Sequence, residues 1–392
     1  MKLKIFFTIL LVILFSQCFS LINWSQSLGG QITKLSLVIL AFFCITHYKF
    51  IPKSEINKFV LLLMLIPFIS IFGSYYVHNQ SLWTGFNSTF FSLTYLFYFL
   101  LYIFKIEEKT VLKLCIIFGL LWTFIEVIQQ FTYPHIWFAT RYDTFEKAIE
   151  VRNGVYRFNI EGREFGLLLL FFSFQKYLDT SKRKYLMGIV TGLVGIYMLA
   201  TRQIMAAALL SLLYALVVMH KLKISTFLGL TVVGLLIYAN MDTLFGDYIK
   251  MTKDVDEDYI RFVSYEFFGL EYNKGNVLPM LIGNGLNGRT SSYGMEIENY
   301  GDIGLFREDI GIVGMYSIYG IFYVLVIFLF FIFIFLKRKL IDTYLLMYVF
   351  YMFTTSIMLH HFGYSPHHIM TLCIVLYLIN QSITRNKSRE IQ

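Results

Sequence analysis

Twelve long apolar runs dominate this chain and limit what it can fold into. They lie near residues 4–22, 32–48, 59–77, 88–104, 114–131, 163–178, 186–200, 204–219, 224–240, 310–336, 343–359 and 367–383. Such runs indicate helices, because the strands of a membrane barrel would alternate in polarity. The sequence therefore predicts an all-α, polytopic integral membrane protein with about 12 transmembrane helices.

The composition supports the same class of protein. Charged residues make up 15% of the 392 residues, whereas hydrophobic residues make up 57%. A soluble protein of this length needs about 25% charged residues to cover its surface. This shortage excludes an ordinary soluble enzyme, a disordered chain and a nucleic-acid binder. We expect a single integral membrane domain over 1–392 that is surrounded by membrane lipids and has no nucleic-acid partner.

The basic residues of the short connections predict how the chain is oriented. Lys2 and Lys4 precede the first run, and lysine or arginine recurs in every second connection after it and in the C-terminal tail. The connections 23–31 and 78–87 contain neither residue. Because short cytoplasmic loops are enriched in lysine and arginine, both termini are predicted to lie in the cytoplasm.

Three connections on the opposite, outer face also contain basic residues, and most of these are arginines. They are the connection 132–162, the hairpin 200–203 and the long connection 241–309. Lysine suffices for contact with lipid headgroups, whereas the planar guanidinium group of arginine binds phosphate through paired hydrogen bonds. The outer face is therefore predicted to bind a phosphorylated ligand. The alternative is that these arginines are solvated and pair with acidic residues of the same loops.

Arg202 lies in a hairpin with almost no loop between two apolar runs. An arginine at the membrane boundary is costly unless it is paired or bound to a ligand. It is interpreted either as a phosphate ligand or as a snorkelling side chain that caps the hairpin. A second local pattern, the glycine-rich stretch from Ile282 to Gly288, allows tight turns and close approach of a ligand to the backbone. It is no Walker loop, and a binding loop and a plain turn remain alternatives.

Several acidic residues of the long outer connection are candidate general bases. Glu298, Asp302, Glu308 and Asp309 lie within a short stretch that leads directly into an apolar run. A carboxylate at the membrane boundary, beside arginines, can accept a proton from a hydroxyl group. Glu308 and Asp309 are expected instead to cap the helix that follows, whereas Asp302 lies outside its first turn.

Glu126 lies near the outer end of the fifth run, on the same helix face as Gln129. An acidic residue within a span is a site candidate, although pairing with an outer arginine explains it equally well.

The last outer connection is flanked by the pairs His360, His361 and His367, His368. Two such pairs suit zinc, but no HExxH motif or acidic third ligand accompanies them in the sequence. Contact with phosphate or sugar, or simple interfacial packing, is therefore preferred to a metal site.

Several stretches of the chain resemble the Wzy-type polysaccharide polymerases and their relatives, the O-antigen ligases. The large outer loop before the tenth span is similar to that family in its glycine-rich stretch, in Asp302-Ile-Gly304 and in the residues from Glu308 to Gly314. The hairpin Thr201-Arg202-Gln203 looks like the Ser-Arg turn of the family. The stretch from Tyr156 to Arg163 looks like its arginine-bearing segment before a middle span.

This resemblance implies a glycosyltransferase C-type fold in the bacterial inner (plasma) membrane. The implied donor is an undecaprenyl-diphosphate-linked oligosaccharide, and a chain-length regulator protein is an expected partner. The implied reaction joins repeat units into O-antigen or capsular polysaccharide by inverting glycosyl transfer, without a cofactor, metal ion or nucleotide sugar. The extracytoplasmic loops 132–162 and 241–309 are expected to form the site.

The candidate site residues follow from the resemblance and from the patterns above. They are Arg157, Arg163, Arg202 and Arg289 for the diphosphate; Asp302 and Glu298 for catalysis; and Glu126, Tyr300, His360 and His361 for the sugar. Ligases of this family place a His-Asn pair in the long loop shortly before the next span. No histidine occurs between positions 221 and 359 here, which disfavours the ligase alternative.

Two further classes of protein are rivals. A polysaccharide or lipid transporter (flippase) would need polar residues or helix breakers midway through several spans, whereas the polar groups here concentrate at the outer face. A glycosyltransferase that uses a polyprenyl-monophosphate sugar usually has acidic residues in its first outer loop. The connection 23–31 has none.

Overall fold

The computed structural model describes residues 2–17, 26–138, 150–152, 154–158, 160–219, 256–363 and 365–390. Over this part of the chain the fold is helical apart from one small two-stranded sheet, so the predicted all-α class is confirmed. The predicted run near 224–240 lies outside the described residues. Parts of the loops 132–162 and 241–309 also lie outside them.

The N-terminal half contains helices of very different lengths. They are α1 Lys2–Ser16, α2 Gln26–Thr46, α3 Glu55–Ile69, α4 Ile71–His78, α5 Leu82–Thr89, α6 Leu96–Ile103 and α7 Glu108–Thr132. The antiparallel strands β1 Glu150–Arg152 and β2 Val155–Arg157 follow, with Val151 opposite Tyr156.

The next helices are α8 Arg163–Thr180, α9 Arg183–Met198 and α10 Arg202–Tyr214, which continues into a π-helical turn Ala215–Met219. After the gap come three short helices, α11 Asp256–Glu266, α12 Val277–Ile282 and α13 Ser292–Asp302. The chain ends with α14 Gly311–Leu336, α15 Thr343–Thr355 and α16 Pro366–Glu390.

Within the described part of the chain, five helical segments are long and apolar enough to cross a membrane. They are Gly29–Thr46, Glu55–His78, Leu82–Ile103, Glu108–Thr132 and Gly311–Leu336. Each coincides with one of the predicted apolar runs, which indicates a membrane protein. The total of about 12 spans, the inner-membrane location and the cytoplasmic termini stay predictions.

Connections that were predicted to be cytoplasmic meet at one end of the fold. Arg385, in the C-terminal part of α16, donates hydrogen bonds at 2.6 Å to both Glu108 and Asp342. The Lys4 ammonium group lies 5.8 Å from the centre of the Phe104 ring. The N-terminus, two internal connections and the C-terminal tail thus come together at this end of the fold.

The glycine-rich stretch packs against a kink in α14. Gly320 has φ 79° and ψ 177°, which interrupts this helix. The backbone carbonyls of Ser317 and Ile318 instead accept hydrogen bonds from the backbone N–H groups of Asn284 (3.0 Å) and Gly285 (2.8 Å). Buried backbone carbonyls need such partners, so the loop completes the hydrogen bonding that the kink leaves open.

Gly283 shows why glycine is needed in this loop. Its φ of 83° is unfavourable for other residues, and a Cβ atom there would lie 2.2 Å from the carbonyl oxygen of Ile318. On the other side, a Cβ atom on Gly73 would lie 1.8 Å from the Gly283 carbonyl oxygen. The stretch is therefore a packing element between α4 and α14, rather than a plain turn or an exposed binding loop.

Candidate functional site

A cavity of about 400 Å³ lies where the predicted outer connections meet. Its described lining consists of Gln17, just after α1, and residues of four further segments that are distant in sequence: 157–163, 199–204, 308–309 and 359–368. The cavity lies near the start of α16, whereas Arg385 and its partners lie near the other end of the same helix. The fold therefore brings residues of four predicted outer connections together around one cavity.

Two of the predicted phosphate ligands, Arg157 and Arg163, line this cavity. Arg157 ends β2, and Arg163 begins α8 after Gly162, whose φ of 128° turns the chain into the helix. The Arg163 Nε atom donates to the buried Glu164 carboxylate at 2.8 Å. Its Nη2 atom lies 3.2 Å from His368 Nε2. These contacts hold the guanidinium group at the cavity wall.

The predicted ligand Arg202 is the first residue of α10 and is half-buried. It is not one of the described lining residues, but its neighbours Thr201 and Ile204 are. The short hairpin therefore brings Arg202 to the edge of the cavity.

The acidic residues Glu308 and Asp309 also line the cavity. They follow Arg307 in a short 3₁₀ turn, and Ile310 separates them from α14, so they line the cavity rather than provide the helix N-cap. Arg307 is 1% exposed and donates hydrogen bonds at 2.8 Å to the Tyr293 hydroxyl and to Asn287 Oδ1. This buried arginine fixes the turn that places the two carboxylates.

Burial keeps the pair His360 and His361 uncharged. His360 lines the cavity, and its Nε2 atom donates to the Arg307 carbonyl at 3.0 Å. His361 lies beside Glu164 and His368 in a smaller neighbouring cavity. Burial lowers the pKa of His360 to about 4 and that of His361 to about 3. At neutral pH both rings provide hydrogen bonds but no charge.

The second histidine pair, His367 and His368, lies beside an acidic residue that the sequence pattern did not indicate. The Nε2 atom of His367 lies 3.5 Å from Glu161 Oε1, and the rings of His367 and His368 are 4.1 Å apart. One ligand atom from each of these three residues lies within 4.8 Å of the other two. No acidic residue accompanies these histidines in the sequence, but the fold places one beside them from a position about 200 residues away.

Glu126 lies in α7 and is 1% exposed. Neither of its carboxylate oxygens makes a hydrogen bond to a described residue. The interpretation that Glu126 pairs with an outer arginine therefore stays a prediction. Glu126 is not one of the described residues that line the cavity.

The remaining candidates do not join this group. Arg289, Glu298 and Asp302 are exposed, on α13 or just before it, and none is a described lining residue of the cavity. Tyr300 packs its ring 4.9 Å from that of Phe267. Asp302 and Glu298 are thus not among the described residues that line the cavity with Arg157 and Arg163.

A hydrogen-bond network that the sequence did not indicate links the long predicted outer connection to α4. His78 places Nδ1 3.1 Å from Glu296 Oε2 and Nε2 3.0 Å from Asn284 Oδ1. The amide nitrogen of Asn284 donates to the Ser317 carbonyl, which fixes Oδ1 as the acceptor toward His78. The ring of His78 also stacks on that of Tyr293, with 3.9 Å between the ring centres.

No protein-family model matches the chain, and no curated protein matches it. Guanidinium groups at the cavity wall can hold phosphate, and carboxylates beside them can accept a proton.

Proposed function

We propose that this protein polymerises undecaprenyl-diphosphate-linked oligosaccharide repeat units on the outer face of the bacterial inner membrane. The observation that supports this most directly is the meeting of Arg157 and Arg163 with Glu308 and Asp309 around one cavity. A phosphate-binding group and a proton acceptor are the two chemical components that glycosyl transfer from a lipid diphosphate requires. The apolar helices, about 12 spans in a glycosyltransferase C-type arrangement, hold the lipid part.

The arginines act on the leaving group. Negative charge grows on the diphosphate as its bond to the sugar breaks, and fixed positive groups stabilise that charge most strongly in the transition state. Arg163 is suited to this task because Glu164 and His368 hold its guanidinium group in place. Arg157 lines the same cavity, and Arg202 lies at its edge.

A cavity carboxylate acts on the acceptor. The hydroxyl oxygen of the incoming sugar forms a bond to the anomeric carbon of the donor and passes its proton to Glu308 or Asp309. The bond from the anomeric carbon to the diphosphate oxygen breaks, and the diphosphate leaves with the electron pair. A single displacement inverts the anomeric centre. The position of Glu308 and Asp309 in the cavity favours them over Asp302 and Glu298, which are not described lining residues.

Turnover of a synthetic lipid-linked repeat unit by the purified protein in nanodiscs tests this proposal. Chain growth is followed by mass spectrometry of the released glycans. We expect Arg157→Ala and Arg163→Ala to lower the rate by about 100-fold or more, because each removes a group that stabilises the leaving diphosphate.

The matched control is Arg289→Ala, which removes an arginine of the same loops that is exposed and outside the described lining. It should polymerise at close to the wild-type rate. Full polymerisation by Arg163→Ala, in a variant that folds normally, would refute the proposed role of the cavity.

A further inference from the structure

We infer that Glu161, His367 and His368 bind a divalent transition-metal ion at the wall of this cavity. Two imidazoles and one carboxylate form a donor set that suits Zn²⁺ or Mn²⁺ better than Mg²⁺ or Ca²⁺, which prefer oxygen ligands. All three residues line the cavity, which has room for the water or phosphate oxygens that would complete the coordination. The inference concerns the proposed active-site cavity, but metal binding itself does not depend on the proposed reaction.

The distances suit a metal ion. Two ligand atoms bound to one tetrahedral zinc ion are separated by about 3.3 Å, given bond lengths of about 2.0–2.1 Å. The separation of Glu161 Oε1 and His367 Nε2 is 3.5 Å. The third ligand atom, from His368, lies within 4.8 Å of the other two. Small side-chain rotations therefore bring all three onto one ion.

The hydrogen bond from Arg163 shows that His368 is in the form that a metal requires. A guanidinium group can only donate, so the Nε2 atom of His368, 3.2 Å from Arg163 Nη2, must carry a lone pair. An ion at this position replaces the hydrogen bond from Arg163. Arg163 then keeps its contact with Glu164 and has an N–H group available for a phosphate oxygen.

The charge of the cavity supports the same inference. Its described lining holds two arginines and three carboxylates, a net charge of one negative unit when the histidines are neutral. Glu164 lies just behind the cavity wall and Arg202 lies at the cavity edge. Their opposite charges cancel. A diphosphate diester adds a negative charge on each phosphate group, and the described lining has no excess positive charge to neutralise it. A divalent cation reverses the sign of the local charge and can bridge the carboxylate and the phosphate oxygens.

This inference departs from the metal-free reaction that the family resemblance implies, and direct metal binding decides between the two. The full-length protein in nanodiscs is stripped with a chelator, dialysed and titrated with Zn²⁺ or Mn²⁺. Bound metal is measured by inductively coupled plasma mass spectrometry, and Mn²⁺ additionally by electron paramagnetic resonance. We expect about one tightly bound ion per chain. We expect Glu161→Gln and His367→Ala to weaken binding by at least about 100-fold.

His135→Ala is the matched control, because His135 is exposed and is not a described lining residue of the cavity. It should bind metal as the wild type does. Thermal unfolding of every variant verifies that it folds. The inference fails if the wild type binds no metal, or if Glu161→Gln and His367→Ala retain wild-type binding. Metal binding is measured independently of the polymerisation assay. A protein that does not polymerise the repeat unit can still be shown to bind metal, and a protein that binds no metal can still be shown to polymerise.

Discussion

Arg163 Nη2 lies 3.2 Å from His368 Nε2, although the two residues are 205 positions apart in the chain. The contact joins the first residue of α8 to the first turn of α16. It links the predicted arginine-bearing segment to the last outer connection. It also sets the arginine that we propose as a phosphate ligand next to an imidazole that has a lone pair, so the two proposed roles of the cavity meet at this pair.

The first prediction concerns the shape of the Arg163 side chain. Arg163→Lys keeps the positive charge but cannot contact Glu164, His368 and a phosphate at the same time, because lysine lacks the planar, forked group. Hydrogen bonds to charged groups contribute about 1.5–3 kcal/mol, so kcat/KM for the lipid-linked donor should fall by about 10- to 100-fold. Arg289→Lys serves as the control and should leave kcat/KM unchanged. Wild-type kcat/KM in Arg163→Lys would show that charge alone is needed there.

The second prediction concerns the proton acceptor. If a cavity carboxylate is the general base, Glu308→Gln or Asp309→Asn should lower kcat by about 100-fold or more and change KM little. Asp302→Asn removes an exposed carboxylate outside the described lining and should have no effect on kcat. Loss of activity in Asp302→Asn, with both cavity variants active, would reinstate the base that the family resemblance implied.

The sequence predicted the elements that depend on local composition. Apolar runs predict membrane-crossing helices because a helix that is long and hydrophobic enough can span the lipid. The five candidate spans coincide with predicted runs. Arg157 and Arg163 stood out because arginine on the outer face departs from the usual charge distribution. Both indeed lie at one cavity.

The sequence could not reveal partners that only the tertiary fold brings together. Glu161 reaches His367 across about 200 residues, and His78 reaches Glu296 from a different connection. No spacing rule links such residues in a single sequence. The sequence indicated Asp302 as a base because it lies outside the first turn of the helix that follows. In the structure it is the exposed last residue of α13, and its role as a base stays a prediction.

A third prediction tests the close packing of the glycine-rich stretch. Gly283→Ala places a Cβ atom 2.2 Å from the Ile318 carbonyl oxygen at a φ of 83°, so both overpacking and backbone strain apply. We expect the free energy of unfolding to fall by about 3 kcal/mol or more, measured by denaturant unfolding in detergent. Gly275→Ala has a similar φ of 80° but no atom within 4 Å of the new Cβ, so it should cost only about 1 kcal/mol. Equal losses of unfolding free energy in the two variants would mean that backbone strain, and not close packing, explains the destabilisation.

A fourth prediction concerns the ion cluster at the predicted cytoplasmic end. Arg385→Gln breaks contacts of 2.6 Å with Glu108 and with Asp342, and the arginine side chain is 34% exposed. Because the side chain is partly exposed, its contribution should lie between those of surface and buried ion pairs. The free energy of unfolding should therefore fall by about 1–3 kcal/mol. Lys387→Gln, an exposed change on the same helix, should leave the melting temperature unaltered. In a double-mutant cycle, Glu108→Gln should have little further effect once Arg385 has been replaced.

The last prediction concerns how stability depends on pH. Burial lowers the pKa of His360 to about 4 and that of His361 to about 3, whereas an unfolded histidine titrates near about 6.5. Between these values the unfolded chain binds protons that the native chain does not, so stability decreases as the pH falls from about 6.5 toward 4 and is unaffected above that range. The melting temperature in nanodiscs should therefore drop between pH 7.5 and pH 5, conditions chosen to span the upper part of that window. His361→Gln should reduce the size of this drop, whereas His135→Gln, at an exposed position, should not. An identical pH dependence in wild type and His361→Gln would mean that the buried, neutral ring of His361 does not contribute to it.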